Sequence, residues 1–275
     1  MKLKDIYQFF VNDYKNLKGS RLFTHALYVF VFLKCIYWLI NFSTLISSNS
    51  VFFHNKLSIG ALNDLAFLLC TYESNTLNIL SVLALIITVI SAFFLKKKYL
   101  LLDFFIWFLV LNIHNYTYAS LTGGDYILNQ LLFFNIFIIS KNNISNSKIN
   151  AIKILLHNLS VLSCMVLICI VYLYSGLSKL MQEDWYSGKA IYYVSQVKHY
   201  SLPILNNLKF TWLINYLILF FQITFCIGVL YSKTRVYYLI TGIIFHLSIL
   251  IGMGIVSFSV SMLIVYILYW CLKEK

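Results

Sequence analysis

Long apolar runs, most of them near the length of a membrane crossing and separated by short polar clusters, dominate the chain. A bilayer core of about 30 Å takes roughly 20 helical residues to cross. That criterion divides the sequence into about eight spans, near 23–45, 77–95, 99–119, 126–140, 152–177, 210–232, 236–252 and 254–272. The fourth is short, and the last two share one apolar run interrupted only at Gly252-Met253-Gly254. Met1 to Phe10 alternates Lys with aromatic residues and lacks a long apolar stretch followed by a small-residue cleavage site. It reads as an interfacial helix, not a signal peptide. With an Asn/Ser/Lys linker at 141–150 and no detectable repeat, the pattern predicts one all-α domain over 1–275. Residues 1–20 form its interfacial N-terminal part and 21–275 its polytopic transmembrane helical bundle.

Composition agrees with this pattern: 61% of the 275 residues are hydrophobic and 11% are charged. So little polar surface excludes a water-soluble fold and implies extensive contact with membrane lipid. The formal charge of +12 does not indicate a nucleic-acid partner, because Lys and Arg sit in short clusters between the apolar runs. With alternate loops assigned to opposite sides, 15 of the 21 Lys and Arg fall on the side of the N-terminus and five on the other, Lys34 lying inside the first span. The bias predicts a multi-pass cell-membrane protein with both termini cytoplasmic. Of the six Cys, only Cys70 lies outside an apolar run, so buried thiols are expected and not a disulfide framework.

Under that topology the remaining polar residues gather toward the non-cytoplasmic side. Asn112, His114, Asn115 and Tyr118 end the third span, Thr122-Gly123-Gly124-Asp125 forms the next turn, Lys179 ends the fifth span, and His246 lies in the outer half of the seventh. Tyr172, Ser175, Gly176 and Lys179 follow helical spacing and form one stripe with a cation at its outer end. Lys179 has two readings. It is either a base or anion clamp in a partly apolar setting, or a side chain that snorkels to the interface. Glu183-Asp184-Trp185 supplies either its partner or an interfacial belt.

His246 needs a partner inside the bundle, as a functional group or as a core histidine bonded to a neighbouring helix. Asp125 is either a site carboxylate reaching His114 or Lys179, or an ordinary residue of a tight Gly-Gly turn. Lys34 has no helical acidic neighbour, so it faces a cavity or pairs with another helix. Metal-ligand spacings and nucleotide-binding glycine motifs are absent, so neither a metal nor bound ATP is expected.

Tyr172-Leu-Tyr-Ser-Gly-Leu-Ser-Lys-Leu180, followed by Trp185-Tyr-Ser-Gly-Lys-Ala-Ile191, resembles a segment of the vitamin K-dependent gamma-glutamyl carboxylases and the wider HTTM membrane-domain family. Thr122-Gly-Gly-Asp-Tyr-x-Leu128, Phe245-His246 and Ser257-Phe258-Ser259 resemble that family's pattern too. The resemblance implies a base at Lys179 acting on a reduced quinone of the vitamin K or menaquinone type, with His246 and Asp125 in the same catalytic site. It further implies a substrate-binding surface from His114, Asn115, Tyr172, Ser175, Gly176 and Trp185. The sequence stops at Lys275 without the large lumenal portion of the carboxylases, so a shared membrane core is the expectation. In length and in lacking a soluble domain the chain also resembles the sporulation-delaying protein B family. That likeness implies a role in maturation of a secreted peptide toxin, with the peptide or a second membrane protein as partner. The alternative is a non-enzymatic partner for export, maturation or immunity.

Overall fold

The computed structural model describes residues 10–47, 50, 74–95, 97–117, 120–139, 147–197 and 208–272. Among these the chain is helical, with no strand. Among the described residues the eight longest helices overlap the eight predicted segments, with bounds that differ by up to six residues. They are α1 (Leu17–Ile40), α2 (Asn75–Phe94), α3 (Leu100–Tyr116), α4 (Gly123–Phe137), α5 (Ser147–Leu180), α6 (Leu208–Leu230), α7 (Ser232–Met253) and α8 (Val256–Trp270). Short helical turns occur at Phe42–Leu45, Glu183–Tyr186 and Ala190–Gln196.

Among the described residues, five helices are long and apolar enough to cross a membrane: Leu17–Ile40, Asn75–Phe94, Ala151–Leu180, Lys209–Leu230 and Ser232–Met253. Three others, α3, α4 and α8, have 17, 15 and 15 residues. Much of the apolar surface faces outward, as on Leu101, Ile227 and Ile251, which are among many exposed aliphatic residues. Such surface is stable in contact with acyl chains and not with water. The expected interfacial segment Met1–Phe10 lies almost wholly outside the described residues, as do Cys70, Tyr118 and most of the 141–150 linker.

The helices form two compact units, Met1–Leu162 and Ser163–Lys275. In the first, α1 packs on α2, α2 on α3 and α3 on α4. Phe23, Leu27 and Val31 recur every fourth residue along α1 and are fully buried with Val82, Leu85, Ile106, Val110, Leu128 and Leu131. Residues four apart share a helix face, which is why this stripe faces inward while Val29, Leu33 and Tyr37 remain exposed. The base of α5 also holds the chain before α1. Asn158 donates to the carbonyls of Phe10 and Asp13, both at 2.8 Å, and accepts the Lys15 N–H at 2.7 Å.

In the second unit α6 packs on α7 and α7 on α8. The break expected at Gly252-Met253-Gly254 is present: α7 ends at Met253 and Gly254 takes φ +67°. This left-handed conformation costs a glycine little and lets the chain reverse into α8. Gly242 has a different use, since a Cβ there would lie 2.0 Å from the Tyr266 hydroxyl oxygen. Its missing side chain admits the Tyr266 phenol against α7. Gly242→Ala is therefore expected to lower stability in detergent by about 1–3 kcal/mol, the usual cost of overpacking. Adding Tyr266→Phe, which removes the nearest atom, should recover part of the loss in a thermal unfolding measurement. Equal losses with and without Tyr266→Phe would assign the effect elsewhere.

Candidate functional site

Within the second unit, the C-terminal half of α5 brings Tyr172 to the centre of an aromatic cluster. Its hydroxyl lies 2.6 Å from His246 Nε2 on α7 and is hydrogen-bonded to the Tyr266 hydroxyl on α8. One phenol thus joins three helices. The Phe225 ring centroid is 4.2 Å from that of Tyr172, while those of Phe245 and Phe258 lie 5.2 and 5.5 Å from that of His246. His246 is fully buried, and its Nδ1 has no hydrogen-bond partner among the described residues. A buried polar nitrogen left in that state carries a desolvation penalty that a bound polar atom relieves. Gly176 lets α6 approach α5, since a Cβ there would come 2.9 Å from Ile223 Cγ1.

Lys179, one further turn out on α5, is half-buried. Its Nζ hydrogen-bonds Ser175 Oγ within the same helix and stands 5.2 Å from the centre of the Trp185 ring. Trp185 supplies a cation–π face and not a charge. No ion pair of Lys179 occurs among the described residues, and Glu183 and Asp184 are exposed. The predicted group Tyr172, Ser175, Gly176, Lys179, Trp185 and His246 thus belongs to one unit, with Ser175, Lys179 and Trp185 at its outer end.

Asp125 and His114 belong to the first unit. Gly123-Gly124-Asp125, expected as an interhelical turn, forms the first helical turn of α4 instead. The reason is a capping box: Asp125 Oδ2 accepts the Thr122 N–H at 2.7 Å and the Thr122 hydroxyl at 2.9 Å. Asp125 Oδ1 is ion-paired to Lys34, which answers the question left by an isolated lysine in α1. His114 Nε2 lies 3.8 Å from the same oxygen, and its Nδ1 is 3.0 Å from Asn129 Oδ1. Asn115 is half-buried on the same end of α3, with its Nδ2 unbonded.

A second buried network in this unit escaped the sequence reading. Asp103 Oδ1 accepts from the Tyr28 hydroxyl at 2.6 Å and from Asn135 Nδ2 at 2.9 Å, and Thr24 donates to Asn135 Oδ1 at 2.7 Å. Lys98, counted in the sequence as one charge of a loop cluster, lies 3.4 Å from Asp103 Oδ2 and caps the carbonyls of Asn135 and Ile138. The signal was an aspartate alone in Leu100-Leu-Leu-Asp-Phe-Phe105. His157 was missed as well. It accepts the Ile139 N–H at 2.9 Å and its Nε2 lies 2.8 Å from the Lys15 carbonyl oxygen, a pairing that fits a structural role.

Long outward-facing apolar helices with polar clusters sealed inside define a multi-pass helical membrane protein. No protein-family model matches the chain, and no solved structure does. Over 186 residues it is 26% identical to the sporulation-delaying protein SdpB of Bacillus subtilis (strain 168), an alignment covering 60% of this chain and 56% of that protein. The chain thus spans somewhat over half the length of the curated relative it matches.

The Tyr172–His246 contact predicts energetic coupling. In a cycle of Tyr172→Phe, His246→Phe and the double variant, unfolding in detergent should give a coupling of about 1 kcal/mol or more. Additive losses, within about 0.5 kcal/mol, would show that the bond adds nothing to stability.

Proposed function

We propose that the protein is an HTTM-like membrane enzyme that matures a secreted peptide at a non-cytoplasmic site, using a reduced quinone. The observation that carries this reading is His246, buried and bonded through Nε2 to Tyr172 of the helix that ends in Lys179, with its second nitrogen unpartnered. The chemistry of the surroundings supports a ring bearing hydroxyl groups as ligand: Phe221 and Phe225 pack on Tyr172, Phe245 and Phe258 on His246, and the unpartnered His246 nitrogen is a polar anchor. A quinol, when bound, supplies two electrons and two protons. The protein's own contribution is to orient the ring, exclude water and accept a proton. Lys179 is the proposed base in the second unit, with Trp185 contacting substrate, and in the first unit Asp125, His114 and Asn115 are proposed as functional residues in their own right. A secreted peptide as the substrate rests on the resemblance to the sporulation-delaying protein B family, which the similarity to SdpB supports.

The same reading takes all eight helices as crossings and both termini as cytoplasmic, supported by the fifteen-to-five distribution of Lys and Arg. A cytoplasm-sensitive reporter fused after Lys275 should be active and an exterior-sensitive one silent. The reverse pair of signals overturns the orientation.

A second reading, a non-enzymatic partner of the peptide, draws on Lys179 itself, whose ammonium is already satisfied by Ser175 and the Trp185 ring. The two separate on Lys179→Arg and Lys179→Ala. A general base contributes about 100- to 10,000-fold in rate, and arginine keeps the cation without giving up a proton at accessible pH. Enzymatic function predicts loss of mature peptide in the culture medium for both variants at normal membrane abundance. Wild-type maturation in both would leave the partner reading.

A further inference from the structure

Lys34 is the cation nearest to Asp125, and the arrangement around it gives it a defined task. Asp125 Oδ2 is already taken by the Thr122 backbone and hydroxyl, so Oδ1 alone is left for a cation. Lys34 occupies it from α1. Its ammonium also stands 5.2 Å from the Trp38 ring centre and 6.0 Å from that of Phe30, which hold it on the inner side of the helix.

His114 faces that oxygen from α3. Its Nδ1 lies 3.0 Å from an amide oxygen, that of Asn129, so the ring hydrogen belongs on Nδ1 and Nε2 keeps its lone pair. Nε2 is buried, has no hydrogen-bond partner and lies 3.8 Å from Asp125 Oδ1. The charged groups facing the ring are Lys34 from α1 and Asp125 from α4, and the Trp38 ring packs edge-on against it at 5.6 Å. A proton on Nε2 would point at the oxygen that Lys34 holds. One carboxylate oxygen in apolar surroundings thus has two candidate cations, and the tighter ion pair excludes the other.

We infer that Lys34 is a positioning residue for the Asp125–His114 pair of the first unit, and that by occupying Asp125 it keeps His114 neutral, with Nε2 open to accept a proton from whatever binds there. This rests on the reading of Asp125 and His114 as site residues, and the experiment separates the two. The purified protein, labelled with ¹⁵N in its histidine rings, is placed in detergent micelles at neutral pH, and His114→Gln identifies the His114 signals. In wild type and in Lys34→Arg the two ring nitrogens should give the widely separated pair of a neutral imidazole.

In Lys34→Met, where Asp125 loses its counter-charge, the pair should collapse to that of an imidazolium. Lys34→Met with Asp125→Asn should restore the neutral pattern. Lys34→Gln serves the same purpose if the methionine variant does not fold, and its expected signal is again the imidazolium. A neutral His114 in the Lys34→Met or Lys34→Gln protein, or a charged one in wild type, overturns the inference. Mature-peptide output of His114→Gln and Asp125→Asn is the companion measurement. Normal output from both removes these residues from the site and with them the positioning role, whatever the spectra show. Lost output with unchanged spectra on removing Lys34 overturns only the role of Lys34.

Discussion

A charge buried among helices in a bilayer has no water to fall back on, so each must be met by a partner from another helix. The Lys34–Asp125 ion pair is where this constraint acts most directly. It ties the C-terminal half of α1 to the first turn of α4, and the same carboxylate caps that turn through Thr122. Asp103 ties α1, α3 and α4 again through Tyr28, Asn135 and Lys98. The two clusters lie at opposite ends of the same three helices, since α3 carries Asp103 in its first turn and His114 in its last. Between them is a dry layer of Val31, Ile106, Val110, Leu128 and Leu131. Two polar clamps separated by an apolar layer fix the rotation of each helix, because turning any one of them strands a charge.

The second unit meets the constraint differently. Its inner polar groups are rings and hydroxyls, joined through Tyr172 to His246 and Tyr266, while the Tyr269 hydroxyl donates to the Met165 carbonyl at 2.7 Å. Neutral groups cost less to bury than ions, and aromatic neighbours supply contact area without demanding hydrogen bonds. Gly242 and Gly176 let this happen by letting Tyr266 and α6 come close. The cluster is thus tied across three helices and leaves one nitrogen, His246 Nδ1, without a hydrogen-bond partner among the described residues.

The position of every long helix was legible in the sequence because a bilayer imposes a length on apolar runs, and Gly254 marked the break between α7 and α8. Tyr172, Lys179 and His246 stood out for the same reason, as polar residues in apolar surroundings. Pairing was not legible. Lys34 and Asp125 belong to helices far apart in the chain, and a helical pattern says which face is polar but not which neighbour it meets. Lys98 was absorbed into a charge count that treats all loop lysines alike, although its ammonium works inside the bundle. Asp125, a candidate site carboxylate, was placed in a turn because the Gly-Gly pair suggested a reversal, whereas the capping box carries the helix back to Gly123.

The central claim, that the fold of the first unit depends on charges matched across helices, is tested most directly by a thermal-unfolding cycle in detergent. The proteins compared are wild type, Lys34→Met, Asp125→Leu and the double variant. Asp125→Leu leaves the buried Lys34 ammonium uncompensated and should cost about 3–5 kcal/mol. Lys34→Met should cost less, because His114 takes up the proton that balances Asp125. The double variant leaves no buried charge and should be more stable than Asp125→Leu. Losses that simply add, with the double variant the least stable of the four, would contradict the account.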